Sequence, residues 1–394
     1  MAQIYFDHAA TTPMVDEAIE VFTRHVSKIG NASSLHSHGR EIRKDVEEAR
    51  ESIAAFAGCL PSEIIFTGSG TEANNTAIKG LWWNAQKINK DRKVIITSPF
   101  EHHAVMDPIY WLYEHEGAEI IEVPVSPDGY VSISEFEKII DQRVGDIAFI
   151  SIMHANNEIG TVQPIAQLTE RARKHSLPFH TDAVQSFGKV EFNYSQMGLT
   201  AATLSAHKVG GPLGVGALIV RRGLDLTPIL HGGGQERDIR SGTLNAPGIV
   251  SFAAAVTKLS QEFTDRNDRI RELKGKLKKL LTEKVSDIAF NGGTNDKDAN
   301  TLPSILNVTF PGASGDVLLL LLDAEGISTS TGSACSAGVP QASHVLLALG
   351  ISEKLAKSTL RFSLGHTSSD ADVEYLGTVI SKVVERARAA GSRS

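Results

Sequence analysis

Cysteine is scarce in this chain. There are two in 394 residues, Cys59 and Cys335, far apart and in no metal-ligand spacing. That excludes a disulfide framework and predicts a reducing cytoplasm. Long apolar runs are missing too: Val317 to Leu322 is the longest notable one and is far too short to span a bilayer. The stretch Met1 to His8 has no basic region and no long apolar region, so no signal peptide is expected. Positive charge is not in excess. The net charge of −7 argues against a nucleic-acid or anionic-membrane surface. No histidine pair has metal spacing on a helix, and there is no internal repeat or low-complexity tract. What is present is ordinary soluble composition, 41% hydrophobic and 22% charged, in a length that suits two domains.

Through the first two-thirds, apolar β-type runs alternate with helical patterns. Strands are expected at Glu63 to Thr67, Val94 to Thr97, Ile120 to Val125, Ile147 to Met153, Pro178 to Thr181 and Gly216 to Val220. Helices are expected at Glu41 to Phe56, Glu72 to Asn89 and Ala104 to His115. Strands apolar on both faces and separated by helices imply an α/β protein with a mostly parallel sheet covered on both sides. A long helical pattern from Ala246 to Lys284 is suited to bridging two domains. Beyond it, Ile305 to Thr309, Asp316 to Ala324, Ile327, Leu360 to Leu364 and Asp370 to Ala389 read as a smaller α+β domain. The expected division is 15–260 for the large domain, with 261–394 and 1–14 forming the small one.

One apolar stretch ends in His180-Thr181-Asp182-Ala183-Val184-Gln185, and a second ends in Ser205-Ala206-His207-Lys208 followed by glycines. A lysine that forms a Schiff base, with an aspartate for a pyridinium nitrogen, is the binding signature of pyridoxal phosphate. Asp182 would keep that nitrogen protonated and Gln185 could donate to the ring's phenolate oxygen; taken alone, Asp182 reads equally as a surface or capping aspartate. Thr67-Gly68-Ser69-Gly70-Thr71-Glu72 follows a strand and opens a helix, an arrangement that suits a phosphate. The plain alternative is a strand–helix turn with Thr71 as N-cap. His102 could stack on the ring face, with His103 as the competing choice. Ser205 and His207 flank Lys208 closely enough to reach the phosphate. The loop His231 to Thr243 is either a glycine hinge or a phosphate or partner-subunit contact through Thr243.

Cys335 lies in a run of small residues from Ser328 to Gly338. Such a run cannot bury itself, so an exposed, mobile loop with a reactive thiol is expected. Cys59, beside apolar residues at a helix end, reads as structural. Arg361 is a single charge inside an apolar strand and needs an anion. A substrate carboxylate or an internal salt bridge would serve, and Asn157 could reach the same carboxylate.

Together these residues resemble the pyridoxal-phosphate-dependent cysteine desulfurases of the NifS/IscS type, in the class-V branch of fold-type-I enzymes. The similarity runs from Tyr5-Phe6-Asp7-His8-Ala9-Ala10-Thr11-Thr12-Pro13 to Ser363-Leu364-Gly365-His366-Thr367. It rests on the joint occurrence of Gly-Thr-Glu-Ala-Asn-Asn, Asn-Asn-Glu-Ile-Gly, His-Thr-Asp-Ala-x-Gln, Ser-x-His-Lys, Arg-Ser-Gly-Thr and Gly-Ser-Ala-Cys. The resemblance implies a large domain with a mostly parallel, seven-stranded-type sheet and a homodimer. It implies that Lys208 holds the cofactor, that Asp182 faces the ring nitrogen and Gln185 the phenolate oxygen, and that His102 stacks on the ring. Gly70, Thr71, Ser205 and His207 would hold the phosphate, with Thr243 reaching over from the other subunit. Asn157 and Arg361 would take the substrate carboxylate, and Asn157 also lines the cofactor.

The implied reaction converts L-cysteine to L-alanine, with Cys335 accepting the sulfur as a persulfide, Lys208 as base for the α-proton and His102 assisting the thiol. The acceptor would be an iron–sulfur scaffold or another sulfur-accepting protein. Cys335 is also open to serving as a cluster ligand shared with a scaffold, and no other metal is assigned. The rivals are a selenocysteine lyase or cysteine-sulfinate desulfinase, an aminotransferase, and a non-catalytic protein on an inherited fold. The first two depend little or not at all on a loop thiol, and the last would be free to lose Lys208 or Asp182.

Overall fold

The computed structural model describes residues 3–293, 300–332 and 341–391. The chain starts with β1 (Ile4–Tyr5), α1 (Asp16–Val26) and α2 (Ser37–Ala57). Strands and helices then alternate: β2 (Ile64–Thr67), α3 (Gly70–Ile88), β3 (Val94–Thr97), α4 (His103–Glu116), β4 (Glu119–Glu122), α5 (Ile133–Arg143), β5 (Ile147–Ser151), α6 (Ile165–Lys174) and β6 (Phe179–Asp182). Two strands follow in succession, β7 (Ala201–Ser205) and β8 (Gly216–Val220). The long α7 (Ala246–Lys284) leads to β9 (Ala289–Asn291), β10 (Ile305–Thr309), α8 (Gly315–Ala324) and β11 (Ile327–Ser328). Two short helices, α9 (His344–Ala348) and α10 (Glu353–Ala356), precede β12 (Thr359–Ser363) and α11 (Asp370–Gly391).

Seven strands make one sheet in the order β2-β8-β7-β6-β5-β3-β4. Only β8 runs antiparallel to its neighbours. Every residue of β2, β3, β5, β6, β7 and β8 is buried, as a sheet covered by helices on both faces requires. The edge strand β4 is the exception and carries exposed Glu119 and Glu122, charges that blunt an open edge. It stops short of the Val125 expected from its apolar run because Pro124 cannot donate to a ladder. Three helices lie outside the elements expected from the sequence: α1, α5 and α6. Each packs a narrow apolar stripe among many charges.

The apolar cores organise around α7. Its first half sends Phe252, Val256 and Leu259 into the core on one face of the large sheet. Its second half sends Ile270, Leu273, Leu277 and Leu281 into a separate core with β10, β12 and α11. Ile4 and Phe6 of the N-terminal segment join this second core, whereas Val345, Leu346, Leu349 and Ala356 return to the first.

The Gly-rich loop after β8 is pinned by charge. Glu236, 3% exposed, takes Arg50 Nη1 and Nη2, each at 2.8 Å, and the Phe66 N–H at 2.7 Å. Arg50 also donates to Ile64 O at 2.8 Å and lies 4.6 Å from the Phe66 ring centroid. A buried ion pair that loses one partner leaves the other charge poorly compensated, here with only the exposed Glu47 still beside Arg50 among the described residues. Glu236→Gln is therefore expected to lower the unfolding free energy by about 3 kcal/mol, toward the low end for such losses, as read from urea denaturation.

Candidate active site

The candidate residues gather at the C-terminal ends of the parallel strands, where open α/β sheets bind ligands. Asp182 ends β6 and is 5% exposed. Its Oδ2 accepts from Asn74 Nδ2 at 2.7 Å and its Oδ1 from the Val184 N–H at 2.9 Å. Among the described residues it forms no ion pair, so a buried carboxylate waits for a cationic or N–H partner. Asn74 was not singled out by the sequence, yet it carries Asp182 from the buried face of α3. Its Oδ1 is itself buried and unpartnered.

Ser69, not Thr71, is the N-cap of α3, accepting from the Glu72 N–H at 3.1 Å. The helix starts at Gly70, so the exposed Thr71 sits in its first turn beside free N–H groups. Gly70 is required by close packing: a Cβ there would lie 3.0 Å from Val184 Cγ2 and 3.3 Å from Ser205 Cβ. Gly216 of β8 passes under the same turn, where a Cβ would meet Ser69 C at 2.5 Å. Gly70, Ser205 and the turn after Asp182 therefore converge on one spot.

His102 is the N-cap of α4. Its Nδ1 accepts from the Ala104 N–H at 3.0 Å, which in the neutral ring leaves the proton on Nε2. Burial lowers its pKa, opposed by Asp182 and aided by Lys208. This ring is thus a ready donor from Nε2 and must lose that proton before it accepts one there. His103 is exposed, pairs with Asp107 and packs edge-on to His344. Behind them Glu101 is fully buried and its carboxyl is pushed up to about 8, mainly by burial.

Lys208 closes the short turn after β7. Its Nζ donates to Ala9 O and Ala10 O, both at 2.6 Å. Gln185 Nε2 donates to the same Ala9 O at 2.7 Å. His207 Nδ1 lies 3.2 Å from Thr11 Oγ1, and burial with Lys208 and Lys189 nearby lowers its pKa to about 4. The segment around Ala9 thereby ties Gln185, His207 and Lys208 together.

Arg361, 4% exposed, satisfies the internal-pair reading: Nη2 donates to Asp7 Oδ1 at 2.7 Å. Nη1 donates to Asn157 O at 2.9 Å, so Asn157 meets Arg361 through its carbonyl. Nε remains buried and unpartnered, a donor that an incoming carboxylate would satisfy. Thr243 is exposed, and among the described residues no hydrogen bond joins it to this cluster. Two charges of its loop, Glu236 and Arg240, are spent on pairs with Arg50 and Glu72. Cys335 lies outside the described residues. The exposed run expected from Ser328 is corrected at its start: Thr329 and Ser330 are buried, because Ser330 pairs with Arg361 through both backbone groups. Cys59 is half-buried, and burial raises its thiol pKa. Among the described residues no cluster of His, Cys, Asp and Glu could hold a metal ion, and no helix is long and apolar enough to cross a membrane.

Orphaned Asn74 Oδ1 and Arg361 Nε, the unpaired Asp182 carboxylate and the glycine-lined helix start fit an anionic, ring-bearing cofactor with a basic ring nitrogen. The comparisons agree. Residues 4–376 match the family described as aminotransferase class-V. An IscS-like cysteine desulfurase of Mycobacterium tuberculosis is 45% identical, covering 98% of this chain and 97% of that protein. A solved NifS-like protein superposes with a TM-score of 0.88 at 34% identity, over 98% of this chain and 100% of the other. A structure of SspA in complex with cysteine gives a TM-score of 0.79 at 35% identity, over 93% and 100%.

Acid should loosen this region. The pKa of His8 is lowered to about 3 by burial, with His366, Lys189 and Arg266 adding to it. The unfolded ring therefore binds a proton that the folded one refuses, and stability is lost as pH falls from about 6.5 toward 3. Comparing urea denaturation at several pH values, His8→Gln is expected to lose less stability between pH 6.5 and 4.5 than the parent chain does.

Proposed function

The chain belongs to the aminotransferase class-V family, in its NifS/IscS-type cysteine desulfurase branch, and from that premise we propose how its own residues divide the work. The reaction converts L-cysteine to L-alanine with transfer of the sulfur, and the cofactor is pyridoxal phosphate. When bound, that cofactor supplies an aldehyde that condenses with amines and a cationic ring that accepts electrons from a substrate carbon. Lys208 would hold it, Asp182 would face its ring nitrogen and Gln185 its phenolate oxygen. His102 would lie on the ring face, and Gly70, Thr71, Ser205 and His207 would hold the phosphate. The observation that carries this reading is the buried Asp182 carboxylate, oriented by Asn74 and Val184 and left without a cation, next to His102 and Lys208.

Substrate enters against Arg361 and Asn157, with Arg361 Nε binding one carboxylate oxygen while Asp7 keeps the guanidinium in place. Lys208 Nζ takes the α-proton. The Cys335 thiolate attacks the substrate sulfur: an S–S bond forms, the Cβ–S bond breaks, and its electron pair stays with carbon. Protonation there yields alanine, and His102 Nε2–H is the donor we assign to it. The persulfide on Cys335 then passes to an iron–sulfur scaffold or another thiol acceptor. The working unit is a homodimer in the cytoplasm. In it the exposed Ile29, Leu35 and Leu213 would be covered, and Thr243 would reach the phosphate of the second copy.

The test is sulfide and alanine release from L-cysteine with reductant. Cys335→Ser is expected to lose both products while keeping the absorbance of the bound cofactor. Undiminished turnover would remove the persulfide role and favour a selenocysteine lyase or sulfinate desulfinase. Arg361→Lys keeps the charge but loses the planar donor set. It should raise KM for L-cysteine by about 10-fold or more, the loss of one charged hydrogen bond.

A further inference from the structure

Lys189 follows Gln185 by one turn and belongs to none of the roles above. It is partly buried and lines a small cavity with His8, Thr12, Arg266, Ser304 and Lys208, and no carboxylate lines that cavity. Its Nζ donates to Gln185 Oε1 at 2.6 Å. On its other side Gln185 donates from Nε2 to Ala9 O at 2.7 Å.

A side-chain amide is asymmetric: its oxygen only accepts and its NH2 only donates. Ala9 O is an acceptor, so the group facing it is the NH2. Lys189 is a donor, so the group facing it is the oxygen. These two contacts fix both the flip and the plane of the amide. One Nε2 proton is spent on Ala9, and the second is left to point elsewhere. Remove the lysine donor and Oε1 loses the only hydrogen-bond donor it has among the described residues. A buried carbonyl oxygen without a donor is costly, so the amide is no longer held in one flip and one plane. Burial and the charges of Lys208, Arg266 and Arg361 push the Lys189 pKa well down. The neutral amine keeps its N–H donors, so the argument holds in either protonation state.

We infer that Lys189 is a positioning residue: it locks the Gln185 amide so that the second Nε2 proton is presented to the cofactor's phenolate oxygen. The inference rests on the assignment of Gln185 to that oxygen. A donor there stabilises the phenolate, and its loss favours protonation of the neighbouring imine nitrogen on Lys208. The readout is therefore the pH titration of the bound cofactor's visible absorbance in the purified holoenzyme, with cofactor content measured separately. Lys189→Met should retain cofactor and shift the titration midpoint upward by about one unit. Lys189→Gln, which restores a donor without the charge, should titrate close to the parent. A Lys189→Met midpoint equal to the parent's overturns the role, as does a Lys189→Gln shift as large as that of Lys189→Met. Gln185→Leu separates the two layers. If it shifts while Lys189→Met does not, only the part of Lys189 falls. If neither shifts, the assignment of Gln185 falls as well.

Discussion

The site depends on presenting one carboxylate, held by two N–H donors, at the end of a buried parallel strand. Asp182 lies where the low dielectric makes an unpaired charge costly, and the fold offsets this with two N–H donors rather than with a cation. A lysine or arginine in that place would neutralise the group and leave nothing for a ligand. Asn74 does the opposite: it orients the carboxylate and keeps the charge available. Its position explains why α3 must run close beneath β6, and why Gly70 and Gly216 are glycines where the helix start crosses the sheet.

The second constraint is the N-terminal segment. Phe6 anchors it in the smaller core, while Ala9 and Ala10 lie against the turn that bears Lys208. Asp7 reaches Arg361 of β12, and Thr11 reaches His207. One short turn of chain thus links the residues beside the large sheet to the arginine of the smaller body. α7 provides the stiff link between the two cores, and the N-terminal segment sets the spacing at the site itself.

Much of this was legible in the sequence, for identifiable reasons. Strands buried on both faces read as apolar runs, so β2, β3, β5, β6 and β8 were found to within a few residues. Lys208, Asp182 and the glycine-flanked turn at Gly70 stand out because each follows a strand end. The unread parts are pairings between distant residues. Nothing at Asn74 announces Asp182, nothing at Asp7 announces Arg361, and nothing at Glu236 announces Arg50. Helices α1, α5 and α6 escaped because each is short, 10 or 11 residues, with few apolar positions to set its period. Ser69, two residues before Thr71, takes the cap that the plain alternative reading gave to Thr71, and Gly70 is left to touch Ser205.

The segment that carries Cys335 begins and ends on residues fixed to the walls of the site. On its N-terminal side, Ser330 exchanges backbone hydrogen bonds with Arg361, the residue assigned to the substrate carboxylate. On its C-terminal side, Ser343 donates to Glu158 Oε2 at 2.5 Å, and His344 Nε2 contacts the carbonyl of Glu101, next to His102. Glu158 serves both flanks, because a Cβ at Gly332 would lie 2.8 Å from the same Oε2. Burial raises its pKa, which favours the protonated form that packs against an uncharged backbone. The described residues on the two sides of that segment are thus held at Arg361 and beside His102. Thr329 and Ser330 lie buried there while the Ser330 backbone pairs with β12 at Arg361.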